Sequence, residues 1–247
     1  QAVVWYTGHF YSLFFLQNVL KVDQFTANVL MSWAILFSVP FAVIFASLSD
    51  RIGRKPVILG GCMIAAIAYF PLYEALTLAA NPALYHANTR VKVSVIADPK
   101  DCSFQFNPTG AAKFRSSCDV AKSLLTKTGV RYTSEAARAG SSARVKIETN
   151  VFDAASPQFA KDVTEALQKA GYPSRDDASI VRIPIDPAAG LANAKNIFDI
   201  ASAQKIKVIA ILWILMLFAG MAYGPMAAAL VELFPVRIRY SAVSLPY

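Results

Sequence analysis

Four long apolar segments alternate with polar stretches along the chain, and each is close to or above the length of a membrane helix. They cover residues 3–20, 25–48, 57–79 and 206–230. A helix needs about 20 consecutive apolar residues to cross the hydrocarbon core of a bilayer. The second segment carries no formal charge, the third carries only Glu74 and the fourth only Lys207. The pattern therefore predicts four membrane-spanning helices rather than four buried helices of a large soluble core.

A stretch of a different kind, residues 81–205, separates the third and fourth apolar segments. It contains 29 of the 40 Asp, Glu, Lys and Arg residues, although the whole chain is 55% hydrophobic. Strands are predicted in "RVKVSVIA", where valines alternate with polar residues, and in "ARVKIETN" and "SIVRIPI". Helices are predicted in "CDVAKSLLTKTG" and "SPQFAKDVTEALQKAG", which both end at glycine, and in "GLANAKNIFDIASAQ". This stretch is predicted to be a small soluble α/β domain.

The predicted fold is thus a membrane all-α bundle with a small soluble α/β domain inserted into it. Residues 1–80 form the first group of transmembrane helices, residues 81–205 the inserted domain, and residues 206–247 a further transmembrane helix and the start of another. The chain begins at Gln1 rather than Met. We expect it to be part of a longer protein.

The net charge of +8 raises the question of nucleic-acid binding. Seventeen basic residues of the inserted stretch are scattered among twelve acidic ones, and they form no basic stripe or known reading motif. A nucleic-acid partner is therefore not expected.

Basic residues in the short loops predict the orientation in the membrane. The loop "DRIGRKP" contains Arg51, Arg54 and Lys55, and "ELFPVRIRYS" contains Arg237 and Arg239. Short cytoplasmic loops collect Lys and Arg, whereas long loops cross the membrane largely regardless of charge. Both basic loops are predicted to face the cytoplasm, and residues 81–205 are predicted to lie outside it, at a cytoplasmic (inner) membrane.

Two cysteines in the inserted stretch allow a disulfide. Cys102 and Cys118 are sixteen residues apart, and outside the cytoplasm such a pair should oxidise. The alternative is two unpaired cysteines. No His or further Cys lies near them to complete a zinc site, and we expect no metal and no cofactor.

The loop sequence resembles a known family signature. "ASLSDRIGRKP" is similar to the cytoplasmic loop motif of the major facilitator superfamily, with Ala46 where the first glycine of the motif is expected. "YGPMAAALVELFPVRIRYSAVS" resembles the stretch of the same fold in which a helix ends in Gly-Pro before a Glu-x-Phe-Pro loop. The aromatic opening "VVWYTGHFYSLFFLQ" resembles the seventh helix of the metabolite:proton symporter branch, which carries citrate, oxoglutarate, shikimate, and proline or betaine.

This resemblance implies a twelve-helix transporter fold. The chain would supply helices seven to ten and the start of helix eleven, with residues 81–205 between helices nine and ten. The N-terminal half of the fold, and half of the substrate cavity with it, would be missing. The implied activity is proton-coupled symport of a small organic anion or zwitterion, a carboxylate or a proline- or betaine-like osmolyte.

The charged loop is the first candidate site. Alternating access needs a contact between the two halves that can form and break at one face of the membrane. An ion-pair network at the membrane edge suits this role, and a glycine allows a tight turn between two helices. The candidates for this cytoplasmic gate are Asp50, Arg51, Gly53, Arg54, Lys55, Glu232, Arg237 and Arg239. The alternative is that these charges only set the topology.

The first apolar segment supplies candidates for the cavity and for proton coupling. Polar groups inside a span usually face the interior of the bundle. The candidates are Tyr6, His9, Gln17 and Asn18. His9 is the only imidazole in a span and could carry a proton, since its unperturbed pKa is near neutrality. The alternative for His9 is a hydrogen-bonded structural role.

The functional expectation is a transporter whose partners are a small-molecule substrate, protons, the lipid bilayer and the missing N-terminal half. The alternative is a membrane-anchored extracytoplasmic binding or sensing module. An enzyme is not expected, because the inserted stretch has one histidine, His86, and no Gly-x-Ser-x-Gly motif. The sequence does not identify the substrate, the coupling ion or the oligomeric state.

Overall fold

The chain divides into two compact units. The computed structural model describes residues 2–103, 116–138, 140–174, 176–185 and 196–233. The first unit consists of Gln1–Leu13, Ala27–Leu76 and Ile183–Tyr247, and the second of Phe14–Thr26 and Thr77–Arg182. The three predicted domains, 1–80, 81–205 and 206–247, remain predictions.

Helices dominate the structure. In chain order they are α1 (Ala2–Tyr6), α2 (Ser12–Phe14), α3 (Gln24–Ile52), α4 (Arg54–Ala80), α5 (Pro82–Arg90), α6 (Ser117–Lys127), α7 (Phe159–Lys169), α8 (Ala203–Tyr223) and α9 (Met226–Leu233). A π-helical turn, Thr7–Tyr11, follows α1, and a second, Phe15–Val19, follows α2. Residues 2–19 are therefore helical throughout, but the α-helical repeat is interrupted twice.

Three helices within the described residues are long and apolar enough to cross a membrane, namely α3, α4 and α8. The shortest of them, α8, has 21 residues, and at about 1.5 Å per residue it matches a hydrocarbon core of about 30 Å. Side chains such as Val43, Ile67 and Phe70 are 68%, 73% and 83% exposed. So much exposed apolar surface is unusual for a soluble protein and is typical of contact with lipid or with other membrane helices.

The count of four spans is not confirmed. Residues 2–19, which correspond to the first predicted span, are built from short α-helical and π-helical pieces. Most of the loop after α9, with the predicted start of a further helix, lies outside the described residues.

The first unit packs closely where α4 meets α8. A Cβ atom added to Gly61 would lie 3.0 Å from the backbone nitrogen of Ala222. Ala65 and Ala222 are buried beside this contact, with Tyr69 and Phe218 packed around them. Small residues thus bring the two helices together, as is common in membrane proteins.

Gly61→Ala is expected to lower the thermal midpoint of the protein in detergent, because its new methyl group meets backbone that cannot move aside. Overpacking of this kind costs about 1–3 kcal/mol. Gly60→Ala is the matched control, since a Cβ there would meet only the flexible Met221 Cε, at 3.2 Å. Thermal unfolding followed by circular dichroism compares the two. Equal midpoints would contradict the close approach.

The second unit contains a four-stranded sheet. Its strands are β1 (Val93–Ala97), β2 (Thr133–Ala136), β3 (Arg144–Ile147) and β4 (Asn150–Asp153), in the order β2-β1-β3-β4. β1 pairs with β2 in parallel and with β3 antiparallel, and β3 and β4 form an antiparallel pair. Helix α6 lies in the connection between the two parallel strands.

Local signals explain the helices of this unit. The Ser116 hydroxyl accepts a hydrogen bond from the Asp119 amide and caps α6, which is followed by Gly129 at φ +73°. Helix α7 buries the apolar face that includes Phe159 and Val163, and it is followed by Gly171 at φ +94°. The predicted helices at these positions and the predicted strands at β1 and β3 are confirmed.

One prediction for the inserted stretch is wrong, and a second is confirmed only in part. The segment "SIVRIPI" forms no strand, although Val181 and Ile183 are buried. Its Val181 N donates to Ala80 O at the end of α4, and Ile180 N donates to Asp177 O in a local turn, so neither bond belongs to a strand ladder. In "GLANAKNIFDIASAQ" the part up to residue 195 lies outside the described residues. Residues 196–198 form a short 3-10 helical turn, and residues 199–202 are not helical. Helix α8 begins at Ala203, after the Ser202 side chain, which caps its first turn.

The predicted disulfide is confirmed. Cys102 and Cys118 are bonded, with their Cα atoms 5.2 Å apart. The neighbouring Asp119 carboxylate accepts hydrogen bonds from the backbone nitrogen and hydroxyl of Ser103. The bridge therefore ties the start of α6 to the chain that follows β1.

Carboxylates in the turns of the second unit have structural partners. The Asp98 carboxylate accepts hydrogen bonds from the backbone nitrogens of Lys100 and Gly140, which hold its pKa below the usual range. Asp177 accepts a bond from the backbone nitrogen of Ser179, and its pKa is lowered in the same way. These groups act as caps, which gives no support to an enzyme site at these two positions.

Candidate functional site

The charged loop "DRIGRKP" forms a one-residue turn between two membrane helices. Helix α3 ends at Ile52, α4 begins at Arg54, and Gly53 between them has φ +94°. Only glycine adopts this backbone conformation without strain. The turn brings the last residues of α3 and the first residues of α4 together.

Arg54 makes two ion pairs at this turn. Its Nη2 atom lies 3.3 Å from Asp50 Oδ1, four residues earlier on α3, and 2.7 Å from Glu232 Oε1 on α9. The Arg54 side chain is 21% exposed, while the two acidic side chains are 62% and 59% exposed. We call these three residues the Arg54 cluster. A single guanidinium thus links α3, α4 and α9.

The other gate candidates are placed differently. Arg51 and Lys55 are exposed and form no ion pair within the part of the chain that the structure describes. Arg237 and Arg239 lie outside the described residues. The sequence pointed to Glu232 as one of several candidate partners on the same face, and in the structure its carboxylate pairs with Arg54.

Ala46, which replaces the expected glycine of the motif, still faces a closely packed neighbour. A Cβ added to Gly224 would lie 3.2 Å from Ala42 O and 3.9 Å from Ala46 N. The residue without a side chain at this contact is therefore Gly224, directly after α8. The Ser49 hydroxyl, buried at 1% exposure, donates to Ala46 O.

His9 has a local hydrogen-bond partner. Its Nδ1 atom lies 3.1 Å from Trp5 O, and the imidazole stacks on the Trp5 indole with ring centroids 5.0 Å apart. Since a carbonyl only accepts, Nδ1 carries a proton, and Nε2 is left to face other groups. The indole also lies 5.8 Å from the Tyr223 ring of α8. This geometry favours a structural role for His9.

A group of hydroxyls that the sequence did not single out surrounds the first π-helical turn. Tyr73 OH donates to Thr7 O at 2.8 Å and lies 2.8 Å from Ser12 Oγ, and the Ser12 side chain is fully buried. Tyr69 OH donates to Val4 O at 2.8 Å. Such turns are frequent at functional sites. In the sequence, the signal that could have pointed to this group is the pair Tyr69 and Tyr73, four residues apart inside an apolar segment.

The remaining cavity candidates do not share one environment. Tyr6 belongs to the first unit, is 58% exposed, and contacts Trp5 and Phe10 through its ring. Gln17 and Asn18 belong to the second unit, where the Asn18 amide donates to Phe14 O. Among the described residues, no group of three His, Cys, Asp or Glu side chains could hold a metal ion.

Comparison with known proteins gives short matches to transporters. The chain is 33% identical over 76 residues to a "Putative proline/betaine transporter" of Staphylococcus haemolyticus, which covers 30% of the chain and 16% of that protein. It is 55% identical over 42 residues to a "Putative metabolite transport protein" of Haemophilus influenzae, which covers 17% of the chain and 10% of that protein. The chain thus matches less than a fifth of either relative's length. No protein-family model and no solved structure matches it.

Proposed function

We propose that the chain is the C-terminal half of a secondary active transporter of the major facilitator type. It would carry helices seven to ten and the start of helix eleven in a cytoplasmic membrane, with residues 81–205 on the extracytoplasmic side. Three membrane-length helices and two relatives named as transporters support this proposal. Those names also point away from an enzyme.

The Arg54 cluster is the observation that carries the proposal. It joins three helices at the end of the bundle where the basic loop lies, and both of its acidic members are more than half exposed. Water can therefore reach and replace these bonds, so that the contact can form and break as alternating access requires. Charges that only set topology would not need to bridge α3, α4 and α9.

The proposed cargo is a small organic anion or zwitterion, moved together with protons. The names of the two relatives include proline, betaine and metabolites, and this range fits the proposed cargo. Hydroxyl groups at Ser12 and Tyr73, packed against the widened turn of the first helix, offer polar groups inside an apolar bundle. Polar groups in such positions commonly line a solute pathway.

Uptake by the full-length protein in proteoliposomes is expected to accelerate when the inside is made alkaline. Protons would then move down their gradient together with the solute, and a protonophore should abolish the acceleration. Radiolabelled L-proline, glycine betaine and citrate serve as probes, and protein-free liposomes give the background. Uptake that responds to neither the gradient nor the protonophore would rule out proton coupling while leaving transport itself intact.

A further inference from the structure

The short 3-10 helical turn of residues 196–198 lies before α8 and presents two apolar side chains outward. Phe198 is 71% exposed and Ile197 is 37% exposed. This turn belongs to the first unit, as do α8 and the middle of α3. Single exposed apolar residues are common on protein surfaces, so the contacts and the position of the turn decide what it does.

The turn is bonded to a helix of membrane length. Trp33 Nε1 on α3 donates to Ile197 O at 2.8 Å, and the Trp33 and Phe198 rings meet edge to face with centroids 5.8 Å apart. The ring centroid of Phe37, one helical turn further along α3, lies 5.6 Å from that of Trp33, and Phe37 is itself exposed. Phe198 therefore extends an apolar surface that α3 already exposes.

The position of Trp33 along α3 sets the depth of the turn. The helix has 29 residues, which at about 1.5 Å per residue exceeds the hydrocarbon core of about 30 Å. The charge of Asp50, in the Arg54 cluster, marks one boundary of that core. Counting about twenty residues back from Asp50 leads to Leu30, so Trp33 lies about 5 Å inside the opposite boundary. Tryptophan is enriched at this level of a membrane.

Charged groups beside the turn are compatible with a membrane surface. Lys205 in the first turn of α8 is buried, and its ammonium donates to Asp199 Oδ2 at 2.8 Å and to Asp199 O at 2.9 Å. This pairing lowers the cost of holding the two charges near lipid. Lys207 is exposed, and its long side chain can reach the headgroups.

We infer that the 196–198 turn is an interfacial anchor, which inserts Phe198 and Ile197 into lipid at the membrane boundary opposite the Arg54 cluster. The Trp33 indole holds the turn at that level through its bond to Ile197 O. Lipid is the partner because the turn continues the exposed apolar surface of α3 at the depth where headgroups give way to acyl chains. The anchor requires that α3 and α8 span a membrane, and it does not depend on transport.

Depth measurements on the full-length protein test the anchor, in nanodiscs of phosphatidylcholine and phosphatidylglycerol. Every cysteine except Cys102 and Cys118 is first replaced by serine, and Phe198→Cys then carries a nitroxide label. Electron paramagnetic resonance measures collisions of the label with oxygen, which concentrates in lipid, and with a water-soluble nickel chelate. The label is expected to lie about 5–10 Å into the boundary between headgroups and acyl chains.

Two reference positions calibrate the depth. Ile67→Cys places the label on an exposed site within α4 and is expected to report lipid. Val151→Cys places it on an exposed apolar site of β4, outside the membrane-length helices, and is expected to report water. A label at position 198 that behaves like the one at position 151 would overturn the anchor. A label shielded from both reagents would show that protein covers Phe198, and it would overturn the anchor as well.

Two tryptophan variants test how the turn is held. Trp33→Phe removes the N–H that bonds Ile197 O but keeps an aromatic ring, and the label at position 198 is expected to move toward water. Trp213→Phe is the matched control, because the Trp213 indole also donates to a backbone oxygen, that of Phe37, at 3.2 Å. A depth that neither variant changes would overturn the role assigned to Trp33.

Discussion

Replacing Arg54 by glutamine is expected to lower solute uptake at least tenfold while the protein still inserts and folds. Glutamine keeps much of the side-chain volume but removes the charge, so both Asp50 and Glu232 lose their partner. Under the proposed function, the contact among α3, α4 and α9 would then no longer hold the cytoplasmic face closed. Initial rates of uptake in proteoliposomes, normalised to inserted protein, measure the effect.

Two further variants make this prediction specific. Arg51→Gln removes an exposed charge from the same loop, one without an ion pair among the described residues, and is expected to leave uptake near its original rate. Asp50→Asn is expected to lie between the two, because the shorter bond between Arg54 and Glu232, at 2.7 Å, remains. If all three variants transported equally well, the loop would serve topology alone.

Removing the disulfide is expected to destabilise the second unit by about 3 kcal/mol in the chain-entropy model, because the bridge closes a loop of sixteen residues. The double variant Cys102→Ser with Cys118→Ser avoids leaving one free thiol. Since the chain has two units and need not unfold in one step, hydrogen exchange of α6 and β1 is the suitable measurement. Protection there should fall about 100-fold.

Cys62→Ser is the control for this change. Cys62 is a free, partly buried cysteine in α4, so its replacement should leave exchange in α6 and β1 unchanged. Thiol titration of the unfolded protein should find one reactive cysteine before reduction and three after it. Unchanged protection in the double variant would show that packing around α6, rather than the bridge, holds this region together.

Features that depend on neighbouring residues could be read from the sequence. Uninterrupted apolar runs predicted α3, α4 and α8, since a long segment without charge suits lipid wherever it packs. The turn at Gly53 and the ends of α6 and α7 at Gly129 and Gly171 followed from the freedom of glycine at positive φ. The pairing of Cys102 with Cys118 followed because the inserted stretch offers no other cysteine.

Features that depend on distant residues were missed. Strand β2, with the sequence "TSEA", is exposed at all four positions, so no alternation of apolar and polar residues predicts it. It forms because β1 offers an edge for parallel pairing. The segment "SIVRIPI" is the opposite case. Its apolar and polar residues alternate, and Val181 and Ile183 are buried, but the segment does not pair with a strand. A strand needs a neighbour for its backbone hydrogen bonds, and one stretch of sequence does not reveal it.

The candidate site also combines features that the local sequence predicts with features that depend on distant residues. The composition of "DRIGRKP" indicated a charged turn at a membrane edge, but it left open which acidic side chain Arg54 would meet. Glu232 is 178 residues away in sequence, and only the packing of α9 against the end of α4 brings its carboxylate to 2.7 Å. A cleft of about 260 Å³ in the second unit likewise gathers Lys21, Thr128 and Gln168 from three parts of the chain. The sequence alone therefore determined which charged and polar groups each segment carries. Tertiary packing decided which of these groups meet, because contact between distant residues depends on how whole helices and strands are arranged.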